Sequence, residues 1–285
     1  MDFKRIYCFF WAVGMILSLI LTGCTPQVPT PQERLEQARA LGTHGGLEPV
    51  AFNTSEFDLA GWQTLGPHTQ GQVVHVYIEG DGLAWVTPSR ISDNPTPTNP
   101  IGLRLALQDP AQSRLYLGRP CQYVSDAQCA PKDWTSHRFS SRVVAAYDDI
   151  LNQINAQYQP ASFVLMGYSG GGAVAALLAA QREDVSLLVT VAGNLDIDAW
   201  VRKHGLCPLS GSLNPTDFMD GLSRVPQYHF LGSLDQNISP ELFYRFEKQF
   251  QQRENLHLRI QSEFDHCNGW VHRWPKLLES IPDIK

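Results

Sequence analysis

Short apolar runs alternate along this chain with longer stretches whose apolar residues return every three or four positions. Residues 73–78 (Val-Val-His-Val-Tyr-Ile), 114–117, 163–166, 187–191, 228–231 and 256–260 have strand length and strand composition. Residues 101–108, 142–158, 173–180, 198–204, 240–250 and 270–280 read as helices; in 142–158, Val143, Val144, Tyr147, Ile150, Leu151 and Ile154 share one face. The alternation predicts an α/β fold, a mostly parallel central sheet with helices on both faces. Residues 57–65 are expected to add an early edge strand, and 87–100, rich in Pro, Ser and Asn, to form a loop. No repeat and no second domain is visible.

The start of the chain follows a different pattern. Lys4 and Arg5 precede an apolar stretch, 6–21, which ends in Leu21-Thr22-Gly23-Cys24. A basic n-region, an apolar h-region and small residues at the end describe an export signal. The stretch is a little short for a spanning helix, which needs about 20 residues. The ending resembles the lipobox of bacterial lipoproteins. That resemblance implies cleavage before Cys24, lipid on its thiol, and attachment to the membrane through more than one acyl chain. Thr25, not aspartate, follows the cysteine, which by the same resemblance points to the outer membrane, facing the periplasm. Residues 25–33 are Pro-rich and polar, as in an extended tether. A short helix is expected over 31–41, with Thr30 as N-cap, Pro31 in its first turn and Gly42 as its stop. The organisation expected is therefore a signal over 1–23, a lipidated N-terminus with tether and short helix over 24–48, and one domain over 49–285.

Composition narrows the partners. Removing 1–23 leaves 262 of the 285 residues, a suitable length for one α/β domain with 43% hydrophobic residues to build its core. The whole chain carries a net charge of −6, and losing Lys4, Arg5 and Asp2 with the signal takes it to −7. An acidic body without a basic block argues against nucleic acid. Beyond Cys8 and Cys24 four cysteines remain, an even number that in an exported chain suggests two disulfides. Of the three connectivities we expect Cys121–Cys129, a short local loop, and Cys207–Cys267, a long-range staple. No cysteine has zinc-type spacing and there is no His-Glu-x-x-His run, so no metal is indicated.

The sharpest chemical signal is Gly167-Tyr168-Ser169-Gly170-Gly171, set between the run 163–166 and the Ala/Leu-rich stretch 173–180. A serine at a tight strand-to-helix turn, with glycines where side chains would collide, resembles the nucleophile elbow of the α/β-hydrolase family. The resemblance extends over most of the chain after the signal and implies the order nucleophile, acid, histidine. Ser169 would be the nucleophile. His266, in the loop after the last strand, would be the base, with His272 the runner-up and His229 and His257 strand residues. Asp235, in the loop after the penultimate strand, would be the acid, with Asp196 the runner-up. The family's usual His-Gly at the end of the central strand is Glu79-Gly80 here. Backbone amides of Asp81 or Gly82, together with Gly170, are then the expected oxyanion donors.

Two irregular stretches, 117–139 and 207–215, are placed to wall a substrate pocket, and 117–139 reads equally well as a plain surface loop. The resemblance implies a serine hydrolase without a cofactor, acting on a small or lipid-like acyl substrate, with carboxylic esters first. Peptidase, thioesterase or acyltransferase chemistry on the same residues is an alternative. A non-catalytic envelope binding protein is another, from a different class.

Overall fold

The computed structural model describes residues 28–124, 126–282 and 284. The signal segment and Cys24 lie outside them. From Pro31 onward the chain forms one compact unit around an eight-stranded sheet.

After helix α1 (Pro31–His44), strands β1 (Glu48–Phe52) and β2 (Leu59–Gln63) form an antiparallel pair at one side of the sheet. The central strand β3 (Val73–Ile78) follows, then a small separate hairpin of β4 (Trp85–Thr87) and β5 (Arg90–Ile91). Helix α2 (Ile101–Gln108), β6 (Arg114–Leu117), α3 (Ser141–Tyr158), β7 (Ser162–Tyr168), α4 (Gly170–Gln181) and β8 (Val185–Val191) continue the alternation. It closes with α5 (Ile197–His204), the short α6 (Met219–Leu222), β9 (Gln227–Gly232), α7 (Pro240–Glu247), β10 (Leu256–Gln261) and α8 (Trp270–Glu279). The strand order is β1-β2-β6-β3-β7-β8-β9-β10, with every pairing from β6 to β10 parallel.

Parallel strands must be covered on both faces, and two hydrophobic clusters do this. One packs α3, α4 and α7 against Val74, Val76, Leu165 and Leu188; the other packs α2 and α8 against Tyr77, Val164, Met166 and Phe230. Helix α4 is buried along almost its whole length, which explains its Ala/Leu composition. Among the described residues no helix is long and apolar enough to cross a membrane.

Three boundaries differ from the expected pattern. The stretch 57–65 supplies β2, but β2 is second in the sheet and β1 is the edge. The loop 87–100 contributes a strand to the β4–β5 hairpin. Helix α1 runs through Gly42 to His44, because this glycine serves packing: a Cβ there would lie 2.3 Å from Trp62 Cδ1.

Candidate active site

Ser169 sits between β7 and α4 with φ 52° and ψ −119°, a conformation that costs an L-residue of order 1–3 kcal/mol. The surroundings hold it there. Its N–H donates to Val191 O at 2.9 Å, and its carbonyl accepts from Gly172 N at 3.0 Å and Asn194 N at 3.1 Å. The turn closes so tightly that a Cβ on Gly167 would meet Gly171 O at 2.3 Å, and one on Gly171 would meet Ile78 O at 2.2 Å. These are backbone atoms of the turn itself and of the neighbouring central strand, so the two glycines cannot be relieved by a side-chain rotation.

The Ser169 hydroxyl lies 2.9 Å from His266 Nε2, and His266 Nδ1 lies 2.8 Å from Asp235 Oδ2. The Asp235 carboxylate is sealed from solvent, while the imidazole is 21% exposed. Asp235 Oδ1 accepts from Asn237 N and Ile238 N, both at 2.8 Å. With both carboxylate oxygens receiving hydrogen bonds, Nδ1 carries the proton and Nε2 is left as an acceptor facing Ser169. Sequence order thus selected three residues that the fold brings into one hydrogen-bonded chain. The runners-up lie elsewhere: Asp196 caps α5, accepting from Ala199 N at 2.9 Å, and His272 is exposed on α8. His229 is fully buried, and burial together with the nearby His257 lowers its pKa to about 3.

Asn237 belongs to this site without having been singled out from the sequence. Its Nδ2 lies 3.2 Å from His266 Nε2, and its Oδ1 accepts from Trp200 Nε1 at 3.0 Å. In the sequence it is one more polar residue of a turn, with nothing to separate it from Gln236.

The expected Cys207–Cys267 bridge is not formed; both are free, exposed cysteines, whereas Cys121 and Cys129 are bonded. Cys267 Sγ instead lies 3.6 Å from the Tyr168 hydroxyl. The His266 loop has other anchors. Asp265 Oδ1 accepts from the amides of Cys267 and Asn268, Trp270 Nε1 donates to Asp265 O at 2.9 Å, and the Tyr168 hydroxyl donates to His266 O at 3.1 Å.

At the end of β3, Gly80 N is already committed to Glu79 Oε1, but among the described residues no protein acceptor takes the amides of Asp81, Gly82 or Gly170. Gly82 adopts φ +63°, and a Cβ there would lie 2.1 Å from Pro95 O. Glu79, at the position where the family resemblance expects histidine, is fully buried. It accepts from Gly102 N, Leu103 N and the Tyr116 hydroxyl, tying β3 to the first turn of α2. Burial raises its pKa against the pull of these donors. Asp81 packs against Gly170 and pairs with Arg138 Nη1 at 2.7 Å and Arg119 Nη1 at 3.1 Å. Burial alone would raise its pKa; the two guanidinium groups outweigh this and hold it below the usual carboxylate value.

Ser169 and His266 open on a cleft of about 890 Å³ whose apolar walls include Ala84, Trp85, Ile91, Trp200, Leu206 and Leu209. The β4–β5 hairpin forms one side and the 206–209 segment another. Thr135, Ser136 and Arg138 bring the 117–139 stretch into the wall as well. Among the described residues no group of three or more His, Cys, Asp or Glu side chains is placed to hold a metal ion.

Comparison with solved structures places this architecture. A Pyrococcus furiosus esterase superposes with a TM-score of 0.57 over 85% of this chain and 92% of its own, at 12% identity. A Xanthomonas campestris protein described as an α/β serine hydrolase without a lid gives 0.52 over 81% and 89%, at 15% identity. The esterase domain of a Rhodothermus marinus protein gives 0.53 over 81% and 94%, at 16% identity. The chain has the α/β-hydrolase fold. No family model and no curated protein matches the sequence. At these identities the likeness is one of architecture alone.

Proposed function

We propose that this protein is a serine hydrolase that cleaves carboxylic esters. The observation that carries the reading is the hydrogen-bonded chain Ser169–His266–Asp235, with its serine on a strained turn at the floor of an apolar cleft.

In this reading Ser169 Oγ attacks the acyl carbonyl carbon while His266 Nε2 takes its proton. Asp235 holds the ring in the Nδ1–H tautomer and stabilises the imidazolium that forms. The carbonyl electron pair moves onto oxygen, where the Gly170 amide and one from the Asp81–Gly82 turn receive it. Collapse of the tetrahedral intermediate expels the alcohol, which takes the proton from His266. Water, deprotonated by His266, then attacks the acyl-enzyme and releases the acid and Ser169. Esters are preferred over amides or thioesters by analogy with the esterases that share the architecture.

We also propose that the precursor is cleaved before Cys24 and anchored by lipid on that cysteine, in the outer membrane facing the periplasm. The support is the ordered run of basic, apolar and small residues ending at Cys24.

Two experiments test the two parts separately. A fluorophosphonate probe should label the wild-type chain and not Ser169→Ala, and a panel of esters of graded chain length should be hydrolysed by the former alone. Persistent labelling of Ser169→Ala overturns the assignment of the nucleophile. In a bacterial host, labelled palmitate should enter the wild-type chain and not Cys24→Ser; equal incorporation, or none in either, overturns the anchor.

A further inference from the structure

We propose that Arg138 anchors an anionic group on the substrate, so that the cleft selects esters that also bear a carboxylate or phosphate. This rests on the hydrolase reading and narrows it.

Arg138 is only 8% exposed, yet it lines the cleft, and among the described lining residues it is the one Lys or Arg. Its guanidinium is held rigidly. Nε donates to Thr135 O at 2.8 Å and Nη1 to Asp81 Oδ2 at 2.7 Å, and the group lies 5.7 Å from the centre of the Trp200 ring. Nη2 has no acceptor among the described residues and is not among the side-chain atoms sealed from solvent. Solvent reaches this free edge from the cleft, and a planar anionic group that takes the solvent's place gains charge-assisted hydrogen bonds to a guanidinium already fixed in position.

The ion pairing around Arg138 is uneven. Asp81 is shared between two guanidinium groups, because Arg119 Nη1 takes its other oxygen and Arg119 Nη2 donates to Arg138 O. A second buried carboxylate, Asp133, lines a small cavity with Asp81 and both arginines, but it forms no ion pair with either, so Asp81 alone is divided between them. The other carboxylate of the cleft lining, Glu79, is buried beneath four donors and offers Arg138 no partner.

Placement links this guanidinium to the chemistry. A Cβ on Gly170 would lie 2.2 Å from Asp81 Oδ1, so Arg138 stands two contacts away from the amide that would receive the oxyanion. An anion on Arg138 would therefore belong to the same substrate molecule that reacts at Ser169. The apolar walls formed by Trp200, Leu206 and Leu209 would cover the carbon skeleton between the two points.

The test uses the full chain and two matched pairs of esters. One pair carries the charge on the alcohol side, 4-acetoxybenzoate against neutral 4-acetoxybenzamide. The other carries it on the acyl side, the 4-nitrophenyl monoester of suberic acid against 4-nitrophenyl octanoate. In at least one pair the wild type should prefer the anion by about tenfold in kcat/KM, mostly through KM. The pair that shows it locates the anion. Arg138→Gln should bring that ratio to about one, and Arg138→Lys should restore part of it. Competition by benzoate against benzamide on the wild type reads the same preference without any variant, should Arg138→Gln fold poorly. Absence of preference in both pairs overturns the proposal, as does an equal loss on charged and neutral members in Arg138→Gln, which would make Arg138 a support for Asp81 only. Loss of all hydrolysis together with loss of fluorophosphonate labelling in the wild type would instead remove the hydrolase reading beneath it.

Discussion

Asp235 divides its two oxygens between different tasks: Oδ2 lies 2.8 Å from His266 Nδ1, and Oδ1 closes its own turn by accepting from Asn237 N and Ile238 N. The turn that follows β9 is therefore built around the same carboxylate that orients the imidazole. This explains how a residue on one loop keeps register with a histidine 31 positions later.

Asp235→Asn tests this division. The amide's one oxygen stays with the two turn amides and its NH2 faces Nδ1 as a donor, so the histidine loses its preferred tautomer. Ester kcat/KM should fall by about 10³-fold or more, while the thermal midpoint moves by only a few degrees. Asp235→Ala should lower both, because two amides lose their acceptor. Wild-type kcat/KM in Asp235→Asn, measured at saturating folded fraction, would remove Asp235 from the mechanism.

Gly171 and Gly46 make a controlled pair for the cost of a methyl group. At Gly171 a Cβ would meet Ile78 O at 2.2 Å and Glu79 O at 2.5 Å, whereas at Gly46 (φ +76°) it would meet nothing within 4 Å. Gly46→Ala should cost only the backbone strain, about 1 kcal/mol. Gly171→Ala forces β3 and α4 apart and should cost several times as much, read as the difference in denaturant midpoint. Equal costs would show that the turn adapts and that the close approach is not what demands glycine there.

These same contacts show why parts of the fold were legible from the sequence. Ser169 was legible because its turn forbids side chains on both flanks, so the constraint is written as glycine. His266 and Asp235 followed from the family resemblance, which implies an acid after the penultimate strand and a histidine after the last. Strand β1 was not legible: Glu-Pro-Val-Ala-Phe is half exposed, contains proline and lies at an edge, where neither burial nor alternation is required. Gly42 was misread as a helix stop because a glycine that makes room for Trp62 is indistinguishable in sequence from one that ends a helix. The number of cysteines suggested pairing, but only the placement of Cys267 against Tyr168 reveals that its sulfur is directed elsewhere.

His229 predicts an acid limb of stability. It is neutral in the folded protein: Nδ1 accepts from Thr190 Oγ1 at 2.8 Å and Nε2 donates to Gln227 Oε1 at 3.2 Å. Burial and the nearby His257 lower its pKa to about 3, against about 6.5 in an unfolded chain. Above pH 6.5 neither state is protonated there and the contribution is constant. As pH falls from 6.5 toward 3 the unfolded chain binds a proton that the folded one refuses, so stability declines by up to about 1.4 kcal/mol per pH unit. Between pH 7 and pH 4.5, His229→Gln should lose stability less steeply than the wild type in urea melts at each pH. Parallel slopes would mean that His229 accepts a proton without unfolding.

The cysteines give the last prediction, and it separates the two halves of the disulfide expectation. Cys121 and Cys129 are buried or half-buried and bonded, closing a loop of separation 8; Cys207 and Cys267 are exposed thiols on the cleft wall. Of the four cysteines among the described residues, mapping after reaction of the native protein with an aromatic disulfide reagent should find Cys207 and Cys267 modified and Cys121 and Cys129 not. Cys121→Ser with Cys129→Ser should cost about 2–3 kcal/mol through the freed loop. It should also lower ester turnover, because the stretch it constrains runs on to Thr135, Ser136 and Arg138 in the wall of the cleft. Bound substrate should protect Cys207 and Cys267 from the reagent, since both line the cleft that holds Ser169. Reaction of both thiols at an unchanged rate under a saturating, slowly turned-over ester would place the substrate outside this cleft and take the proposed active site with it.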